Sequence, residues 1–238
     1  MLEFSNPNPT PIFHILTIES FKKVLECGYL FCRNMLQAYK IECDDISYED
    51  IQDRRHSIII PYSFGATLHD YVPFYFAPRS PMLYTLHRQN VRSGFDQKNA
   101  IYLVTSAQKV AQAGLEYVFF DAHAIMAVAH CYNKLDDLNK INWRIFLENP
   151  PIRNFGYNCS DILPLPLYCK IWNDRCDNPD YANRKAQRQA EFNIKNKVDI
   201  NFFDCIVVYD MDKKKQVEKL LNQYRVLIPV CVIRSWYY

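Results

Sequence analysis

The first candidate for a catalytic residue is a carboxylate that lies within a basic stretch of the sequence. Glu191 lies near the end of RKAQRQAEF, where Arg184, Lys185 and Arg188 precede it within seven residues. Cations close to a carboxylate favour its ionised form. The residues alone leave two interpretations open, which are a solvated basic face with one ion pair and a catalytic carboxylate in a basic groove.

Two adjacent arginines, Arg54 and Arg55, follow an acidic run over residues 42–53. A planar guanidinium can hold a phosphate through two parallel hydrogen bonds, so the two side chains could form an anion clamp. Ordinary salt bridges on a helix face account for the same pattern. Both interpretations place this segment on a helix.

Two histidines are candidates for contacts with a ligand. His14 lies inside the apolar run TPIFHIL. A histidine there is commonly a hydrogen-bonded core residue, but it can also donate to a ribose or an amide. His123 follows YVFFD, at the end of a predicted strand, where functional sites are commonly built. His123 is therefore a stronger candidate than His87 or His130.

The stretch DYVPFYFAPRSPMLYTL places three prolines and five aromatic residues around one arginine, Arg79. Its alternating apolar residues predict a strand over residues 71–76. Pro78 and Pro81 then fix backbone angles on either side of Arg79, which predicts a rigid irregular turn. Such a turn presents the arginine outward, or the arginine braces the turn by bonding to carbonyl groups.

The elements that must position these residues are predicted from periodicity and from start and stop signals. Thr17 or Ser20 is expected to cap a helix that ends at Gly28. Further helices are predicted over residues 47–55, 107–114, 123–147 and 213–224. Strands are predicted over residues 10–16, 56–61, 71–76, 100–106 and 116–120, in NFFDCIVVYD, and in VLIPVCVIRSWYY. Residues 149–183 show the weakest patterning. With no repeat and no linker, these patterns predict a single α+β domain over residues 1–238.

Composition excludes several classes of function. Of the 238 residues, 49% are hydrophobic and 15% are aromatic, which is typical of a packed globular protein. The net charge of +2 gives no evidence of a polycation, so binding to nucleic acid requires a local basic face. The five glycines form neither a dinucleotide-binding fingerprint nor a phosphate-binding loop.

The nine cysteines are odd in number and lack the paired spacing of a zinc site. The polar, proline-rich N-terminal residues do not resemble a signal peptide, and the apolar runs are short and interrupted. We therefore expect a cytoplasmic protein with no metal and no membrane span. No strong self-association stripe is evident, which favours a monomer.

Several short motifs occur in a specific order along the chain: PTPIFHI, CGYLFCRN, IQDRR, LHDYVPFYFAPRSPMLY, VTSAQKVAQAGLEYVFFDAHA, RQAEF and CVIRSWYY. Taken together they resemble the DarT family of DNA ADP-ribosyltransferase toxins over nearly the whole chain. HDYVPFYFAPRSPMLY and QAEF, in this order, carry most of the resemblance.

The resemblance implies an ADP-ribosyltransferase fold, in which two facing β-sheets form a cleft for NAD and helices lie at the periphery. It implies cleavage of NAD at the nicotinamide–ribose bond and transfer of ADP-ribose to a base, typically thymine, in single-stranded DNA. It also implies a toxin whose partner is a DarG-like macrodomain antitoxin. Modification of guanine or RNA, and an inactive binding module, are the alternatives.

The resemblance also assigns roles to residues. Glu191 matches the catalytic glutamate of the family, and Arg55 matches its catalytic arginine. The expected NAD contacts are His14, Thr17, Gly28, Leu30, Arg55 and Tyr75. The expected DNA contacts are Tyr48, Arg79, Met82, His123, Lys185 and Arg188. The family often has a hydroxyl residue two positions after the first histidine, where this chain has Leu16 followed by Thr17.

Overall fold

The protein is described by a computed structural model that covers residues 4–43, 49–88, 95–152 and 163–238. Strands and peripheral helices alternate along these ranges. The strands are β1 Pro11–Thr17, β2 Tyr29–Phe31, β3 Tyr71–Tyr75, β4 Ala100–Ser106, β5 Tyr117–Phe120, β6 Cys131–Tyr132, β7 Glu191–Lys195, β8 Lys197–Asp199, β9 Cys205–Val208 and β10 Val230–Val232. The helices are α1 Ile18–Cys27, α2 Arg33–Ala38, α3 Glu49–Ser57, α4 Pro81–His87, α5 Ala107–Gln112, α6 Trp143–Leu147, α7 Arg184–Gln187 and α8 Met211–Tyr224.

The larger sheet has the strand order β10-β9-β4-β1-β3-β7-β5-β6, and β2 pairs with β8 in a small second sheet. Strand β1 pairs with β4 along its whole length, and β3 does the same with β7. Between β1 and β3, in contrast, only Phe13 and Tyr75 are paired. The larger sheet therefore consists of two four-stranded halves joined at one point. This arrangement confirms the predicted α+β fold class.

Local sequence explains how β1 leads into α1. The strand PIFHILT is buried along its length except at His14. The Thr17 hydroxyl then accepts a hydrogen bond from the Ser20 amide and caps α1. Gly28 ends the helix with φ of 74°, a conformation that other residues adopt at a cost. The predicted cap and the predicted stop are both confirmed.

Strand β7 alternates between two environments, as a strand must. Phe192 and Ile194 are fully buried in the main core, where Phe192 packs against Phe76 and Phe119. Glu191 and Asn193 point to the opposite face. Because β7 lies between β3 and β5, these two polar residues sit at the centre of one half of the larger sheet.

Some predicted elements are wrong, and the structure shows the reasons. Residues 123–147 do not form one helix, because Cys131 and Tyr132 pair with β5 as strand β6, and the α-helix begins only at Trp143. The predicted strand over residues 56–61 is absent, because residues 56 and 57 still belong to α3 and Ile59 forms only an isolated bridge with Thr67.

The predicted irregular turn after β3 is short, because α4 begins at Pro81. The Ser80 hydroxyl caps this helix, and a proline is favourable at the first helical position. No helix in the described part of the chain combines the length and apolar character needed to cross a membrane.

Candidate active site

A buried ion pair joins α3 to β7. Arg55 Nη1 donates to Glu191 Oε2 at 2.8 Å, and the two side chains are only 8% and 3% exposed. Arg55 Nη2 also donates to Asn193 Oδ1 at 3.3 Å. Arg55 and Glu191 are 136 positions apart in the sequence, and the fold brings their side chains into direct contact.

The loop after β5 surrounds the second oxygen of the carboxylate. The backbone amide of Ala124 donates to Glu191 Oε1 at 3.1 Å. His123 Nδ1 lies 3.6 Å from the same oxygen, which is a close approach but longer than a hydrogen bond. Because the Ala124 contact comes from the backbone, its position depends on the fold of the loop rather than on the residue type.

The environment keeps the Glu191 carboxylate ionised. Burial raises the pKa of Glu191, but the Arg55 guanidinium and the neighbouring His123 lower it by more, so that the pKa falls from 4.5 to about 2. A fixed negative charge in a protected position can stabilise a positive charge that develops in a reacting ligand.

The second predicted ligand contact, His14, is held in a defined tautomer. Its ring Nδ1 lies 2.7 Å from the carbonyl oxygen of Pro73, so this nitrogen carries the proton and Nε2 is the acceptor. Burial lowers the pKa of His14 to about 4, and the ring is therefore neutral at pH 7. His14 follows Phe13 directly, so it lies next to the single junction between the two halves of the sheet.

A cleft of about 1420 Å³ contains both centres. Lysines and arginines outnumber carboxylates among its lining residues by six to two, which favours an anionic ligand. The six cations are Lys23, Arg33, Lys40, Arg54, Arg55 and Lys185. Arg54, which had been considered as part of an anion clamp, donates from Nη2 to the Ile125 carbonyl at 2.9 Å.

Several predicted contacts lie in this cleft. Tyr75 and Met82 are neighbours in the lining, with the Tyr75 hydroxyl 3.8 Å from the Met82 sulfur. Leu30 lines the cleft from β2, although it is almost completely buried. Lys185 is exposed at the start of α7. With His14, His123, Arg55 and Glu191, these residues form one continuous surface.

Two predicted NAD contacts have other roles in the structure. The Thr17 hydroxyl is buried and caps α1, and it is not part of the cleft lining. Gly28 ends α1, and its carbonyl accepts a hydrogen bond from the Ile200 amide. Gly28 lies between two lining residues, Cys27 and Tyr29, without lining the cleft itself. Tyr48, a predicted DNA contact, lies outside the described residues.

Arg79 does not point into the cleft. Its Nε and Nη2 donate to the Tyr237 carbonyl at 3.0 and 2.7 Å, and its guanidinium lies over the Tyr238 ring. The Tyr238 hydroxyl donates in return to the Arg79 carbonyl at 3.0 Å. The structure therefore favours the bracing role for Arg79. The side chain attaches the turn to the C-terminal segment, however, and does not bond to carbonyl groups of the turn itself.

The predicted DNA contact of Arg188 is also wrong, because this side chain is buried. It is 3% exposed, its guanidinium packs against the Phe146 ring, and Nη2 reaches the carbonyls of Pro78 and Cys169 at 3.4 Å. Burial lowers the pKa of Arg188 to about 10. Arg184 is also buried and pairs with Glu148. Of the cations in RKAQRQAEF, only Lys185 faces the cleft.

The site contains residues that the sequence did not predict. Asn193 lies two positions after Glu191, and its role becomes visible only when residues 191–195 are recognised as a strand. Within the described residues, no group of three or more His, Cys, Asp or Glu side chains is arranged to hold a metal ion.

Comparison with known proteins defines the class of this site. A family model described as "ssDNA thymidine ADP-ribosyltransferase, DarT" matches residues 13–238. The chain is 32% identical over 234 residues to a DNA ADP-ribosyl transferase of Thermus sp. (strain 2.9), covering 98% of both proteins. It is 29% identical to a DNA ADP-ribosyl transferase of Escherichia coli O127:H6, covering 98% of this chain and 95% of that protein.

A solved structure gives the same result. Thermus sp. 2.9 DarT in complex with ADP-ribosylated ssDNA superposes with a TM-score of 0.81 at 32% identity, covering 98% of this chain and 99% of that one. The fold and the relatives together define a DNA ADP-ribosyltransferase. The chain belongs to the DarT family, which confirms the resemblance found in the sequence.

Replacement of Arg55 by methionine tests the buried ion pair. Breaking a buried pair leaves an uncompensated charge, so we expect Arg55→Met to lower the free energy of unfolding by about 3–5 kcal/mol at pH 7. The pKa of Glu191 is depressed in the native protein, so its contribution is present above pH 4.5 and disappears as the pH falls towards 2.

Urea unfolding between pH 7 and pH 3 measures this effect. Because burial raises the Glu191 pKa in the variant, the difference from wild type should shrink as the pH falls. The exposed pair of Arg175 and Asp177 provides a control, since Arg175→Met should cause no comparable loss. A difference that is small, or constant with pH, would contradict this account.

Replacement of Arg79 tests the bracing role. We expect Arg79→Ala to lower the free energy of unfolding by about 1–2 kcal/mol, because charged hydrogen bonds to the Tyr237 carbonyl are lost. Arg79 has φ of 56°, and alanine is strained there to a similar extent, so the loss reports on the side chain. Lys185→Ala removes an exposed cation and should leave the stability unchanged. Equal stabilities of the two variants would argue against the bracing role.

Proposed function

We propose that this protein cleaves NAD and transfers the ADP-ribose group to thymine in single-stranded DNA. The observation that carries the proposal is the Arg55–Glu191 ion pair, buried at the base of a basic cleft. The family description names thymidine in single-stranded DNA, and Thermus sp. 2.9 DarT has been solved in complex with NAD+. That structure superposes on this chain with a TM-score of 0.77 at 30% identity.

Glu191 would act on the reacting ribose. When the bond between nicotinamide and ribose breaks, its electron pair leaves with the nicotinamide and positive charge develops on the ribose. A carboxylate that stays ionised stabilises that charge without reorganisation during the reaction. The position of Glu191 between two backbone-paired strands fixes it for this purpose.

The same carboxylate is proposed to activate the base. Thymine N3 attacks the ribose carbon as its proton is removed, so the products are nicotinamide, the N3-linked adduct and a proton. Glu191 is a weak base while it is paired with Arg55, because its pKa is about 2. The N3 proton becomes strongly acidic as N3 bonds to the positively charged ribose carbon, so a carboxylate that is still paired with Arg55 can accept it.

The remaining cleft residues suit the two substrates. The cations of the lining provide charge for the diphosphate of NAD. His14 Nε2 offers an acceptor to a hydroxyl or an amide of the cofactor, with Tyr75 and Leu30 as apolar neighbours. Met82, His123 and Lys185 are proposed to contact DNA at the mouth of the cleft. No step of this proposal requires a metal.

In the cell, we propose that the protein is a monomeric, single-domain toxin of the cytoplasm. Membership of the DarT family supports a DarG-like macrodomain protein as its antitoxin partner. Such a partner would remove ADP-ribose from DNA and restore the unmodified base.

Incubation with NAD and defined oligonucleotides tests the activity. We expect a mass gain of one ADP-ribose on single-stranded DNA that contains thymidine, with release of nicotinamide. Glu191→Gln should lower the rate at least about 100-fold, because it removes both the charge and the base. Glu218→Gln, on the exposed face of α8, is the matched control and should retain the wild-type rate.

Three results would overturn parts of this proposal. If only DNA that lacks thymine, or only RNA, became labelled, thymine in DNA would be excluded as the target. Labelling by Glu191→Gln at the wild-type rate would exclude the catalytic assignment. An oligonucleotide whose only thymine is methylated at N3 should stay unmodified, and its modification would exclude N3 as the nucleophile.

A further inference from the structure

The guanidinium of Arg55 is held at two points on one strand. Nη1 donates to Glu191 Oε2 at 2.8 Å, and Nη2 donates to Asn193 Oδ1 at 3.3 Å. Residues at positions i and i+2 of a strand share a face, so the two acceptors lie side by side along β7. The planar fork of an arginine matches two adjacent acceptors, and two contacts fix the plane of the group where one contact would let it rotate.

Asn193 is held in place by burial and by its contact with Arg55, since its Nδ2 has no hydrogen-bond partner among the described residues. Its side chain is completely buried, and the residues paired with it on the neighbouring strands are Pro73 and Val118. Pro73 is also the residue whose carbonyl holds the His14 ring. The amide of Asn193 therefore belongs to a packed region of the sheet that supports both predicted NAD contacts, Arg55 and His14, although Asn193 is not part of the cleft lining.

A neutral acceptor at this position has an electrostatic consequence. With an amide at position 193, the positive charge of Arg55 is balanced by Glu191 alone. A second carboxylate would compete for the guanidinium and, as a like charge, would disfavour ionisation of Glu191. An apolar side chain would leave Nη2 buried without its acceptor. Asparagine supplies a hydrogen bond without adding charge.

We propose that Asn193 is a positioning residue for the transfer reaction, whose amide oxygen fixes the plane of the Arg55 guanidinium against Glu191. This inference rests on the proposed function, because it assigns a role to Arg55 and Glu191 in that reaction. Asn193 acts through Arg55 and does not touch the substrates.

Kinetics separate positioning from simple stabilisation. We expect Asn193→Leu, which keeps the volume but loses the acceptor, to lower kcat by about 10- to 100-fold, with KM for NAD nearly unchanged. The rates are measured at a temperature where circular dichroism shows a native fold. Asn34→Leu is the matched control: it removes the hydrogen bond from Asn34 Nδ2 to Asp70 Oδ1, outside the cleft, and should affect stability only.

Asn193→Asp provides an independent variant that retains an acceptor. We expect the acidic limb of its pH profile for kcat to move to higher pH, because the added carboxylate raises the pKa of Glu191. A profile identical to wild type would contradict the electrostatic part of the inference. Wild-type kcat for Asn193→Leu would overturn the inference itself.

NMR of the Arg55 guanidinium tests the same contact without turnover. In the substrate-free wild type we expect separate, slowly exchanging Nη–H signals, and in Asn193→Leu we expect averaged signals. Unchanged signals would overturn the inference. If the wild-type protein failed to modify DNA while the NMR difference was still present, the proposed function would fail and the positioning contact would stand.

Discussion

Burial of the Glu191 carboxylate is the constraint on which the rest of the site depends. A carboxylate removed from water is costly unless it is paired and hydrogen-bonded, and here Arg55 and the Ala124 amide supply those contacts. The pair is held in place by elements that are distant in the chain, namely α3, the loop after β5, and β7. An ionised carboxylate is thereby kept ready in a cleft whose other charges are mostly positive.

The topology of the larger sheet explains why a cleft exists at this position. Strands β1 and β3 share only the pair of Phe13 and Tyr75, so no further backbone pairing closes the sheet between its two halves. His14 projects from one half and Glu191 from the other. Residues of both halves line the cleft.

The sequence predicted the elements whose signals are local and missed those that depend on tertiary contacts. The apolar run of β1, the Thr17 cap and the Gly28 stop all act within a few residues and were predicted correctly. The course of residues 123–147 depends on the pairing of Cys131 and Tyr132 with β5, and no local pattern reveals it. The burial of Arg188 and the binding of Arg79 to Tyr237 likewise follow from packing, since an arginine in a basic or aromatic stretch gives no sign of the side on which it will lie.

The most direct test of this account is the pKa of Glu191 in the substrate-free protein, measured by following its side-chain carboxyl carbon in a ¹³C NMR titration. The buried pair with Arg55 predicts a value of about 2, well below the ordinary 4.5. A value at or above 4.5 would show that burial outweighs the guanidinium. It would contradict the claim that the fold keeps this carboxylate ionised before any substrate binds.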